Sequence, residues 1–225
     1  MEETNITTIP ELTEEQTFEL VREFQPILYQ PQHDKHIPKF MYYRTARKAD
    51  TLKITYYTVW DNERHPRYFF HVLYSFLFRK FYYGSIKDIE YIQIDVDLKT
   101  RDITDVRFEQ ASKPDYHVFF PFHRKNHLKR VPQPEAPTNY ENVFVRFFGQ
   151  KNEFHGLIKP RFSGKRIHMA VTSWNHIYNV YLEDLHKYIK DLGDNFNTFT
   201  ALVLKKYDPK EFKKYKANRR SKGEF

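Results

Sequence analysis

From Ile89 to Val96 the chain alternates without a break, with Ile89, Tyr91, Gln93 and Asp95 on one side and Glu90, Ile92, Ile94 and Val96 on the other. A period of two is the signature of an extended strand, and it commits the chain to a sheet with one face in a core. Residues i and i+2 of a strand point the same way. Asp88 and Glu90 therefore face the side that Ile92, Ile94 and Val96 make apolar. Two carboxylates at the rim of a core are costly unless a cation or a basic side chain compensates them. The pattern predicts either a bound cation or an Arg or Lys ion pair at this end of the strand.

The remaining composition suits a β-rich core. The 225 residues include 21 Phe, 17 Tyr and 2 Trp, bulky side chains that build a large core without staples. There is no cysteine, which excludes disulfides, thiolate metal sites and a Cys nucleophile. Residues 1–20 hold no apolar signal-like run, and no stretch of about 18 apolar residues occurs. The expectation is a soluble, cytoplasmic protein with no transmembrane segment. The net charge of +8 is concentrated at the C-terminus, where residues 205–225 carry nine Lys and Arg against three acids.

In chain order, residues 1–12 read as a flexible lead-in. Thr13 is an N-cap with Gln16 three residues on, a capping box for a helix over 13–24 that Pro26 ends. Strands are predicted at 27–29, 40–43, 52–60, 116–122, 143–148 and 166–172. A hairpin joins 89–97 to 103–110 around Lys99-Thr100-Arg101-Asp102. Helical spacing predicts helices over 68–82 and 182–192, Pro132 to Thr138 is an extended loop, and 198–205 fits either a strand or a helix. No linker or repeat divides the chain. The fold expected is mainly β, a single β-sandwich over 13–206 with a few peripheral helices, followed by a basic tail over 207–225 that is dispensable for folding.

Three stretches, in this order, resemble a β-sandwich superfamily that contains the necrosis- and ethylene-inducing proteins and the vacuolar protein sorting-associated 62 family. Phe24-Gln-Pro-Ile-Leu-Tyr29 looks like their opening strand, and Ile54-Thr-Tyr-Tyr-Thr-Val-Trp60-Asp61 like their second, aromatic strand, which ends in an acid. Gly84-Ser-Ile-Lys-Asp88-Ile-Glu90 has the spacing of the Gly-His-Arg-His-Asp-Trp-Glu signature. The segment Arg166–His176 resembles the strand that returns a His to the site. The resemblance implies a sandwich fold and a divalent-cation site at one end. This chain departs from the signature, with Ser85 and Lys87 in place of the two His and Ile89 in place of the Trp. Only Asp88 and Glu90 remain of the motif, with Asp61 as counterpart of an upstream acid, and cytolytic activity is not carried over.

The candidate ligand set is therefore Asp61, Asp88, Glu90 and His176, with His65 or His71 as additional nitrogen ligands. Hard oxygens suit Mg²⁺, Mn²⁺ or Ca²⁺. An enzyme would need metal-activated water, since no nucleophile motif or phosphate loop occurs, and catalytic residues are not assigned. A binding module would use the cation to bridge to a polar or anionic ligand. Asp115, His117, His123 and His127 are spaced as loop residues rather than as a ligand set. Two rival readings stay open. One is nucleic-acid binding through Lys205, Lys206, Lys213, Lys214, Arg219 and Arg220, interleaved with Tyr207, Phe212 and Tyr215. The other is a structural or assembly protein with no metal site.

Overall fold

The computed structural model describes residues 11–61, 72, 88–111, 123–131, 140–145, 152–173, 175–180 and 195–213. Helix α1 (Glu14–Glu23) opens on the predicted capping box, with the Thr13 hydroxyl accepting from the Gln16 N–H and the Gln16 side chain accepting from the Thr13 N–H. Its Leu20 and Val21, with Phe24 just beyond, are buried in the main core. The strands follow as β1 (Ile27–Pro31), β2 (Pro38–Lys48), β3 (Thr51–Trp60), β4 (Asp88–Asp97), β5 (Asp102–Ala111), β6 (His123–Arg130) and β7 (Tyr140–Val145). After them come β8 (Asn152–Ile158), β9 (Phe162–Ser163), β10 (Arg166–Val171), β11 (Tyr178–Val180), β12 (Phe196–Phe199) and β13 (Leu204–Lys206), and the short helix α2 (Pro209–Lys213) ends the described chain.

The protein is mainly β, as the alternation predicts. The described strands form one curled sheet whose main path runs β12-β1-β10-β11-β5-β4-β3-β2-β13, with β6, β7 and β8 continuing outward from β5 and β9 on β10. The two ends of that path, β12 and β13, are joined by only Thr200, Ala201, Leu202 and Val203. Four residues span at most about 17 Å, so the sheet must turn back on itself. Side chains then cross the interior between the two halves. Tyr178 of β11 donates to Thr58 of β3 at 2.7 Å, and Tyr56 of β3 donates to the carbonyl of Val21 in α1 at 2.7 Å.

Alternation decides which face each strand buries. In β3, Leu52, Ile54, Tyr56, Thr58 and Trp60 are buried, and their register partners in β4 are Val96, Ile94, Ile92, Glu90 and Asp88. Ile92, Ile94 and Val96 are fully buried, each stabilising the fold by about 1.5–3 kcal/mol. The predicted hairpin is β4–β5, with Asp97 paired to Asp102. Pairing between these strands stops at Ile92 with Phe108. Beyond it β4 remains on β3, whereas Gln110 of β5 pairs instead with Tyr178 of β11. The sheet splits there, and Asp88 and Glu90 lie in the opened part of β4.

Several boundaries differ from the sequence reading. β2 is an eleven-residue strand rather than a piece at 40–43, because its register on β3 runs unbroken from Phe40 to Lys48. The stretch 198–205 is neither one strand nor a helix, but parts of β12 and β13 on opposite sheet edges. His123 and His127 stand in β6, not in a loop. β6, β8, β9 and β11 fall where the sequence predicts no strand. The expected strand at 116–122, the helices at 68–82 and 182–192 and the loop at 132–138 lie outside the described residues, apart from a helical Val72.

The expected tail does not begin at 207. Tyr207 and Phe212 pack on the outer face of the sheet against Phe40, Tyr42, Tyr57, Val59 and Ile89, and Phe212 is buried. Tyr42 donates to the Glu211 carboxylate at 3.0 Å. Asp208 caps α2 by accepting from the Lys210 N–H, and Pro209 suits the first helical position. The apolar spacing of Tyr207 and Phe212 is that of a docking segment, hidden in the sequence by the lysines around it.

Candidate ligand site at the split of the sheet

The site grows from four strand ends. β1 and β10 run parallel, so their C-terminal ends lie at the same end of the molecule. The loop after β1 carries Asp34, and the turn after β10 carries His176. Trp60 ends β3 opposite Asp88, which begins β4. His176 joins all four. Its Nδ1 lies 2.9 Å from Asp88 Oδ2 and its Nε2 3.0 Å from Asp34 Oδ2, while its ring stacks on Trp60 at 4.6 Å and 4°. His176 is fully buried, as are Asp34, Asp88 and Glu90 to within a few per cent.

Local geometry fixes each partner. His176 sits at φ 58°, a left-handed conformation that costs a non-glycine residue about 1 kcal/mol or more. The turn that holds it there is closed by His176 N–H to the Ser173 carbonyl at 3.0 Å and Ile177 N–H to the Ser173 hydroxyl at 3.1 Å. The Asp34 loop is held by the Asp34 N–H on the Pro31 carbonyl and by the His36 N–H on Asp34 Oδ1. Gln30 ties loop and strand together, donating to the His36 carbonyl and accepting from the Trp60 indole.

With an ionised carboxylate on each ring nitrogen, both nitrogens donate and the ring is an imidazolium. Burial pulls the His176 pKa down, but the hydrogen bonds and charges of Asp34 and Asp88 outweigh it and lift the group to about 9. Tyr178, 2.7 Å from Thr58 and close enough to sense Glu90 and Asp88, is pushed well above the usual phenol range, chiefly by burial. Where the sequence calls for a bound cation or a Lys or Arg beside Asp88, the structure places His176.

The structure brings together three of the predicted residues, Asp88, Glu90 and His176, and sets Asp61 apart. Trp60 faces the core, so alternation turns Asp61 outward, where it pairs with Lys39 at 2.9 Å near the surface. His65 and His71 lie outside the described residues. Asp34 was missed, although a short polar side chain two residues before His36 is the usual mark of a side-chain-closed turn. A divalent cation needs donors with lone pairs to spare, and an imidazolium with both N–H groups engaged has none. His176 therefore does not fit as its ligand. Among the described residues no group of three or more His, Cys, Asp or Glu is placed to hold a metal ion.

Of the basic residues of the rival reading, Lys205 and Lys206 lie among the described residues. Lys205 lies over the Phe40 ring at 4.2 Å from its centroid, and Lys206 pairs with Glu14. The Lys213 side chain, Lys214, Arg219 and Arg220 lie outside the described residues. His127, one of the histidines set aside as a loop residue, bonds Asp105 on the outer face of β5 and β6. No helix among the described residues is long and apolar enough to cross a membrane.

No family model and no curated protein matches the chain. Two solved structures are similar to it, one described as NLPPya in complex with mannosamine and the other as a toxin fold for microbial attack and plant defense. Each is 11% identical, and the match covers 89% of this chain and 77% of the other, at TM-scores of 0.39 and 0.40 respectively. The likeness is a remote one of fold and carries no residue of the site.

Proposed function

We propose that this protein is a polar-ligand-binding β-sandwich in which the His176 imidazolium stands where a bridging dication would. The observation that supports this reading is the pair of hydrogen bonds fixing both ring nitrogens between Asp34 and Asp88. Asp34, Asp88 and Glu90 gather buried carboxylate oxygens, which accept hydrogen bonds, at this end of the sheet. Carboxylate acceptors suit a hydroxyl-rich or ammonium-bearing ligand. A protonated amino sugar has both features and is the first probe.

Calorimetry tests the reading. Mg²⁺, Mn²⁺ and Ca²⁺ should give no binding heat on the native protein, and mannosamine should bind in a manner that Glu90→Gln weakens. Dication binding that disappears in Asp88→Asn would put a metal back at the centre of the site. Absence of amino-sugar binding would overturn the ligand class.

A further inference from the structure

We propose that Ser163, His168 and Tyr29 form a second, chemically active site on the outer face of the sheet, a nucleophile, base and orienting hydroxyl that accept acyl groups from carboxylic esters. The three residues come from three neighbouring strands. Ser163 ends β9, His168 is in β10 and Tyr29 is in β1. In β10, Ile167, Met169 and Val171 point into the core, so Arg166 and His168 point to the other face. Ser163 pairs with Arg166 and shares that face.

The contacts form a continuous relay. Ser163 Oγ lies 2.8 Å from His168 Nε2, and His168 Nδ1 lies 2.8 Å from the Tyr29 hydroxyl, whose ring stacks on the imidazole at 5.4 Å. A hydroxyl within hydrogen-bond reach of an imidazole that a third group orients is the arrangement that activates a serine. His168 is 3% exposed, whereas Ser163 is exposed. The base is thus shielded and the nucleophile accessible. Beside Ser163 the chain turns through Gly164 at φ 60°, and a Cβ built there meets nothing within 4 Å.

The charge state fits the role. Burial, then the charges of Arg161 and Arg166, hold the His168 pKa below its ordinary value. At neutral pH the ring is the free base. With Nδ1–H donating to the Tyr29 oxygen, Nε2 keeps its lone pair for the Ser163 proton. Ser163 Oγ attacks the ester carbonyl carbon and its proton passes to Nε2. The tetrahedral adduct collapses, the C–O bond to the alcohol breaks, and the departing alkoxide takes the proton from Nε2. Water then attacks the acyl-serine, delivers a proton through Nε2 back to Ser163 Oγ, and the carboxylic acid leaves. Ester and water become acid and alcohol, with no change of oxidation state. A weakly basic imidazole makes the reaction slow but places its pH dependence below the usual histidine range.

The experiment is labelling of the full chain with a fluorophosphonate, located by peptide mass spectrometry, together with hydrolysis of 4-nitrophenyl acetate. Label should fall on the peptide that holds Ser163, and Ser163→Ala, a change at an exposed position, should abolish it. His168→Gln should slow labelling by about 100-fold. The native rate should rise through a midpoint below pH 6.5, the direction in which burial, Arg161 and Arg166 move His168. Tyr29→Phe should lower the rate and move that midpoint further down, because the Nδ1–H loses its acceptor. No label at Ser163, or labelling indifferent to pH and to His168→Gln, would overturn the proposal and leave a structural hydrogen bond.

Discussion

His176 carries a proton because the protein needs one there, and the pH dependence of stability follows. The free histidine has a pKa of 6.5 and the folded one about 9, so the folded state binds the proton more tightly. The resulting stabilisation is complete below pH 6.5 and is lost as pH rises through 9. A shift of this size is worth on the order of 3 kcal/mol. Urea midpoints measured from pH 6 to 10 should fall across that window, and His176→Gln should flatten the fall. The same substitution should destabilise the protein at pH 6 by roughly 3–5 kcal/mol, since it leaves two buried carboxylates facing a neutral amide. The sequence carried half of this. Strand alternation placed Asp88 and Glu90 on the core face, and the polar turn before Tyr178 marked His176. Asp34 was not legible because it reaches His176 through the parallel pairing of β1 with β10, a contact between residues about 140 apart that no local pattern encodes.

Among the elements, the segment from β13 to α2 departs most from expectation. Its lysines read as a solvated tail, but Tyr207 and Phe212 form ring contacts at 4.9 Å with each other, and Phe212 lies 4.9 Å from Tyr57. Phe212→Ala should therefore cost about 3 kcal/mol of unfolding free energy, measurable by chemical denaturation. Deleting 207–225 should lower the melting temperature rather than leave it unchanged. Tyr42→Phe, which removes the bond to Glu211, should cost about 1 kcal/mol. The β4–β5 hairpin, in contrast, was fully legible, because its alternation and its turn are both local.

For the molecule as a whole, distant pairing dominates. β1 meets β10 and β12, β11 meets β5, and β13 meets β2, each across a long stretch of chain. Loops of that length must close before the contacts form. Refolding followed by stopped-flow tryptophan fluorescence should accordingly take milliseconds to seconds, and a microsecond phase that accounts for the whole amplitude would contradict this topology. β13 also does something for the protein's neighbours in a crowded solution. It covers β2 at Met41, Tyr42 and Tyr43, the apolar part of what would otherwise be an open edge. Farther along, Arg44, Arg47 and Lys48 leave that edge exposed but charged. An uncovered apolar edge is a template for adding foreign strands. Losing residues 204–206 would open this edge to pairing with foreign strands, those of other copies of the chain included.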